Sequence, residues 1–144
     1  MERPILIVED SDEDYEATTW ALLQAGMDRP IERCSRADEA LRRLQADALS
    51  PLGQPTLPPC LMLLDLNLPG MDGRQLLTQV RGLKTGIPVV VLSTSSNPRD
   101  VAACYQLGAA GYINKPLTLA AYAEKMRLMV DYWLKTVLLP EATS

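Results

Sequence analysis

Glu9, Asp10, Asp65, Ser93 and Lys115 are residue types that, gathered in one place, can handle a phosphoryl group together with a hard metal cation. Glu9-Asp10 close the apolar run Pro4-Ile5-Leu6-Ile7-Val8, and Asp65 closes the run Cys60-Leu61-Met62-Leu63-Leu64. Carboxylates crowded together repel and raise one another's pKa, a penalty that a divalent cation removes. Mg2+ prefers six oxygens at about 2.0–2.1 Å, keeps some waters and is often shared with a phosphate. Asp10 and Asp65 suit it as ligands, with Glu9 acting through water and the carbonyl of Asn67 as a further oxygen. An aspartate so placed can also attack a phosphoryl group and become an aspartyl phosphate. Such chemistry needs donors and positive charge on the phosphoryl oxygens, which the Ser93 hydroxyl and the Lys115 ammonium can supply. Each residue alone has a plainer reading, as a strand end, a hydroxyl-rich loop or a Lys-Pro turn. Their shared position, at the tips of what read as strands one, three, four and five, is what sets them apart.

The composition narrows the field. A chain of 144 residues is one domain with room for a full core. It has no histidine, which removes His-dependent catalysis and leaves oxygen donors for a metal. A formal net charge of −4 argues against nucleic acid as a direct partner. No stretch of about 18 apolar residues exists, so no membrane span is expected. Met1-Glu2-Arg3-Pro4 runs straight into a strand pattern without a leader signature. Cys34, Cys60 and Cys104 are odd in number and form no C-x-x-C pair. They read as small buried hydrophobes in a reducing, cytoplasmic setting.

The elements that must position these residues follow from the pattern. The runs ending at Glu9 and Asp65, and Ile87-Pro88-Val89-Val90-Val91-Leu92 ending at Ser93, are short and apolar without alternation. That marks strands buried on both faces. Ile31 to Cys34 reads as a more polar edge strand and Gly111 to Asn114 as a short fifth strand. Helices are expected from the Ser11/Asp14 capping pattern to about Ala25, with Tyr15, Thr18, Thr19, Leu22 and Leu23 facing inward and Trp20 off that stripe. Others should run from Ser35/Asp38 through Ala40, Leu41, Leu44 and Ala48, from Asp72 to Arg81 after the Pro69-Gly70 turn, and from Asn97-Pro98 to Gly108. The last should run from Thr118 to about Thr136. Between Leu49 and Pro59, Pro51, Pro55, Pro58 and Pro59 make a stiff, structureless loop longer than usual for such connections. Five strands alternating with five helices give an α/β fold, a doubly wound parallel sheet of order 2-1-3-4-5 of the flavodoxin-like type. The crevice at its switch point lies above the first and third strands, bringing Glu9-Asp10 to Asp65.

Over nearly its whole length the chain resembles the receiver domain of two-component response regulators. The resemblance implies that Glu9-Asp10 is the acidic pair, Asp65 the phosphoacceptor and Asn67 the donor of a main-chain oxygen to Mg2+. It further implies Ser93 as the hydroxyl switch residue, Tyr112 as the aromatic one, Lys115 as the site lysine, and a cis peptide before Pro116. The receiver would take residues 1–134, with 135–144 as a C-terminal extension. Asp65-Leu66-Asn67-Leu68-Pro69, the long loop before strand three, Leu92-Ser93-Thr94-Ser95 and the tail Tyr132-Trp133-Leu134-Lys135-Thr136-Val137-Leu138-Leu139-Pro140 resemble small regulators paired with phytochrome-type histidine kinases. A light-sensing kinase is then the implied phosphodonor.

Competing readings fit less well. A haloacid-dehalogenase-type phosphatase needs a second aspartate where Asn67 stands, and a dinucleotide site needs glycines where Glu9-Asp10-Ser11-Asp12 stands. A receiver fold that no longer accepts phosphate would lack the full residue set. No effector domain follows the last helix, so output is expected through a protein contact, a relay step or a phosphate sink. Beyond Met126, Leu128, Met129, Val130, Tyr132, Trp133 and Leu134 are apolar around most of the helix. That patch is expected to form a homodimer with the fifth strand and the tail, or else to fold back over its own domain.

Overall fold

Short apolar runs without alternation need cover on both faces, and the computed structural model supplies it with helices on either side of a five-stranded parallel sheet. It describes residues 2–45, 49, 52–68 and 71–140. The strands are β1 (Ile5–Val8), β2 (Ile31–Cys34), β3 (Leu61–Asp65), β4 (Val89–Ser93) and β5 (Gly111–Asn114). Their spatial order is β2-β1-β3-β4-β5, as the sequence implied. Every residue of β1, β3 and β4 is buried, while both edge strands are mostly half-buried. β4 begins two residues later than its apolar run because Pro88 lacks an N–H; its carbonyl still accepts from Met62 N–H at 3.0 Å.

The helices are α1 (Asp12–Gln24), α2 (Ala37–Arg43), α3 (Gly73–Leu83), α4 (Pro98–Gln106) and α5 (Leu119–Val130). One sheet face carries α2, α3 and α4 and the other α1 and α5. Ser11, Asp72, Asn97 and Thr118 cap α1, α3, α4 and α5 through their side chains. Ser35 does not cap α2: Arg36 is the N-cap, without a side-chain bond, and the Ser35 hydroxyl turns to Glu39. On α1 the buried residues are Thr18, Ala21 and Leu22, and Leu23 is exposed. The expected stripe was thus rotated by about one position. Gly73 is required at the start of α3, since a Cβ there would lie 2.7 Å from the Leu66 Cα. This close approach draws the loop after β3 onto the helix. The expected Pro69-Gly70 turn, Pro51, Ala48 and residues 141–144 of the extension lie outside the described residues.

Three further expectations change. The loop before β3 is not structureless: Leu49 and Pro55 form an antiparallel bridge, and the Arg3 guanidinium donates to the Pro58 and Pro59 carbonyls at 3.0 and 2.7 Å. The Lys115–Pro116 peptide is trans. The last helix does reach Thr136, but over Asp131–Thr136 it widens to a π-helix. This wider turn sets Trp133 and Leu134 against the core on the α1/α5 face, where Leu139 joins them. Arg3 also donates to the Pro140 carbonyl at 2.8 Å, tying the tail to the N-terminal segment. Within one chain, the tail therefore folds back over its own domain. Among the described residues no helix is long and apolar enough to cross a membrane, and the three cysteines are free and buried.

Candidate phosphoryl and cation site

The parallel register aligns the carboxyl ends of β1, β3, β4 and β5, so the residues closing each run meet at one end of the sheet. Asp65 ends β3, Ser93 ends β4, and Glu9 and Lys115 immediately follow β1 and β5. Glu9, Asp65 and Ser93 are buried. The Lys115 N–H donates to the Ser93 carbonyl at 2.7 Å, extending the ladder by one residue and fixing the root of the lysine.

The Lys115 ammonium is shared among three carboxylates. It donates to Asp65 Oδ2 at 3.0 Å and Glu9 Oε1 at 3.2 Å, and Asp14 Oδ2 lies 3.7 Å away. The Asn67 N–H donates to Asp65 Oδ1 at 2.8 Å, so both oxygens of this aspartate are held. One carboxylate oxygen each from Glu9, Asp14 and Asp65 falls within 4.8 Å of the others. Burial, then the carboxylate of Asp65 beside it, raises the Glu9 pKa to about 7 against the opposing pull of Lys115. Burial opposes the charge on Lys115, but hydrogen bonding and attraction to Asp65 and Glu9 outweigh it and hold the ammonium above the usual lysine range.

One ammonium does not balance three carboxylates gathered within 4.8 Å. The donors are all oxygen, two of the three are buried, and the cluster opens to solvent at Asp14. Those features fit a hard divalent cation such as Mg2+. Of the residues singled out from sequence, Glu9, Asp65 and Lys115 come together here. Asp10 is exposed, outside the converging set, and Asn67 is exposed beside Asp65. Asp14 was missed as a site residue. Its place in the first turn of α1 reads as helix capping, and only the topology turns its carboxylate toward Lys115.

Ser93 and Tyr112 meet through Ser95. The Ser95 N–H donates to Ser93 Oγ at 3.1 Å, and the Tyr112 hydroxyl donates to the Ser95 carbonyl at 2.8 Å. Tyr112 is half-buried against the core on the α3/α4 face. A cavity of about 650 Å³ adjoins these groups, lined by Leu66, Asn67, Met71, Arg74, Ser93 and Ser95 among others.

Comparison with known proteins agrees with this arrangement. The response regulator receiver domain family matches residues 5–127. Response regulator Rcp1 of Synechocystis is 36% identical over 141 residues, covering 96% of this chain and 93% of the relative. The crystal structure of the Mn2+-bound form of Rcp1 superposes with a TM-score of 0.82 at 36% identity, covering 97% of this chain and 100% of that one. That of the phosphorylated cyanobacterial phytochrome response regulator RcpA gives 0.85 at 33% identity, covering 98% and 100%. The bacteriophytochrome response regulator RtBRR gives 0.74 at 31% identity, covering 99% and 85%.

Proposed function

The chain belongs to the response regulator receiver domain family, and from that premise we propose that it accepts a phosphoryl group on Asp65 from a histidine kinase in a Mg2+-dependent reaction and changes conformation to signal. The observation that carries this reading is the shared lysine, with Lys115 Nζ 3.0 Å from Asp65 Oδ2 at the mouth of an acidic cluster. An Asp65 oxygen forms the O–P bond as the donor's P–N bond breaks, and the leaving imidazole takes up a proton. Asn67 N–H holds the other Asp65 oxygen in place. Lys115 moves its ammonium to the arriving phosphoryl oxygens. Ser93 Oγ accepts from Ser95 N–H, which leaves its own proton free to donate to the same group.

Glu9, Asp65 and the carbonyl of Asn67 would hold the cation, Asp14 adds a carboxylate within reach, and Asp10, exposed beside Glu9, would have to turn inward to join them. When bound, the cation neutralises the carboxylates and the phosphoryl oxygens. The protein's own chemistry is then self-catalysed gain and loss of phosphate, and it acts as a signalling phosphoacceptor rather than an enzyme with a released product.

Ser93 and Tyr112 form the switch. Its driving force is the difference in contact that phosphoryl oxygens make with Ser93 and Lys115 in the two states. Moving a population from 1:99 to 99:1 requires about 5.5 kcal/mol of such difference, so a partial shift is the expected response. The phosphodonor is a phytochrome-type histidine kinase of the cytoplasm, a reading supported by the likeness to RcpA and RtBRR. Phosphotransfer from purified kinases of that type, timed against unrelated histidine kinases, tests it. Transfer no faster than from the unrelated kinases overturns the phytochrome assignment.

A homodimer through α5 and the extension is part of the same reading. Trp133 and Leu134 are spent on the chain's own core, but Leu119, Leu128, Tyr132 and Leu138 remain exposed. A two-fold axis that brings together the Leu128/Tyr132 face and the Leu138 tail would bury them from both subunits, whereas Leu119, nine residues before Leu128, lies on the opposite side of α5.

A further inference from the structure

An arginine in the first turn of a helix faces the positive end of the helix dipole. Arg74 is the second residue of α3, so the stability of that helix does not explain its presence. Its partner does: the guanidinium pairs with Asp100, in the first turn of α4, across 26 residues of sequence.

Asp100 is occupied on both oxygens. Oδ1 takes Arg74, and Oδ2 accepts from the Ser95 hydroxyl at 2.6 Å. The Ser95 hydroxyl, then Arg74, holds the Asp100 carboxyl below the usual range. Ser95 is a hub whose N–H donates to Ser93 Oγ at 3.1 Å and whose carbonyl accepts from the Tyr112 hydroxyl at 2.8 Å. Its hydroxyl oxygen also accepts from Asn97 N–H, the cap of α4, at 3.2 Å. A continuous set of bonds thus runs from α3, which follows the Asp65 loop, through Asp100 to Ser95. From there it reaches both residues of the switch.

We propose that Arg74 and Asp100 are positioning residues that act through Ser95, holding the β4–α4 loop so that the Ser93 hydroxyl faces Asp65 and Tyr112 lies against the core. The proposal rests on the reading of Asp65 as phosphoacceptor. Without the anchor, Ser95 loses its tie to α3, and its bonds to Ser93 and Tyr112 are broken for more of the time. The hydroxyl then spends less time aimed at the site. Phosphorylation slows, and the tyrosine samples other rotamers before any phosphate arrives.

The test uses the full chain and two readouts. In unphosphorylated protein, NMR follows the Ser95 amide and the Tyr112 ring in wild type, Asp100→Ala, Arg74→Ala and Arg74→Lys. In the presence of Mg2+ and acetyl phosphate, intact mass gives the rate of phosphate gain. Asp100→Ala and Arg74→Ala are expected to move both resonances and to slow phosphate gain at least threefold, and Arg74→Lys to recover most of each effect. Ser95 and Tyr112 signals unchanged in a folded Asp100→Ala or Arg74→Ala protein overturn the proposal. So do rates within the wild-type error despite shifted signals. If either alanine variant fails to fold, the other decides. A wild-type protein that takes up no phosphate refutes the reading of Asp65, while the resonances still decide whether the anchor holds the loop.

Discussion

Lys115 Nζ donates to Asp65 Oδ2 at 3.0 Å, reaching across the end of β4 from β5 to β3, 50 positions apart in sequence. The bond joins a cation to the carboxylate that the family resemblance marks as the nucleophile. Lys115 also serves Glu9 at 3.2 Å, so one ammonium compensates two buried acids. Removing one partner of a buried ion pair commonly costs about 3–5 kcal/mol because the other is left uncompensated.

Lys115→Met is therefore expected to destabilise the cation-free protein by about 2–4 kcal/mol, at the lower end because Glu9 can take up a proton instead. Excess Mg2+ should recover part of the loss. Urea denaturation with and without Mg2+ measures both, and a variant as stable as wild type without Mg2+ contradicts the compensation.

Glu9 sets a pH dependence of definite sign. Its folded pKa of about 7 lies above its unfolded value of about 4.5, so the group binds more protons when folded. Its contribution to stability is full below about pH 4.5 and is lost as pH rises through about 7. At 1.36 kcal/mol per unit the contribution is on the order of 3 kcal/mol. The difference in stability between wild type and Glu9→Gln, measured in EDTA from pH 5 to 8, should show this slope. Mg2+ affinity should weaken as pH falls below 7, because cation and proton compete for the same oxygens.

The tail gives a separate prediction. Trp133 is half-buried on the chain's own core, and aromatic-to-alanine changes in cores cost about 3–5 kcal/mol, so Trp133→Ala should cost roughly 2. Leu138→Glu should leave stability within about 0.5 kcal/mol, as surface changes usually do, and abolish self-association; Tyr132→Glu should abolish it too but lose the edge-on ring contact with Trp133, costing about 0.5–1.5 kcal/mol. Sedimentation of these variants beside wild type separates the roles. A wild-type protein monomeric at high micromolar concentration, phosphorylated or not, contradicts the dimer.

The parts read best from sequence are those where burial leaves no alternative. β1, β3 and β4 are covered on both faces, so they had to be continuous apolar runs, and the polar residues that end them had to reach the sheet's edge. Glu9, Asp65 and Ser93 were legible for that reason, and Lys115 because it closes the short strand that completes the alternating pattern. Asp14 was not, because an acid in the first turn of a helix is already accounted for by capping and the dipole. The Arg74–Asp100 pair was invisible because no local pattern links two helix starts 26 residues apart. Leu23 was misassigned because the α1 stripe is weak, with Thr18 and Ala21 occupying positions that larger apolar residues usually mark. The tail showed an excess of apolar surface, but composition does not say whether one chain or two will cover it.

Asp65 is the residue expected to take the phosphoryl group. Wild type and Asp65→Asn, each incubated with acetyl phosphate and Mg2+ and then examined by intact mass, test it most directly. Wild type is expected to gain one phosphoryl group in Mg2+ and none in EDTA, and Asp65→Asn none in either. Equal phosphate gain by the two proteins would contradict it.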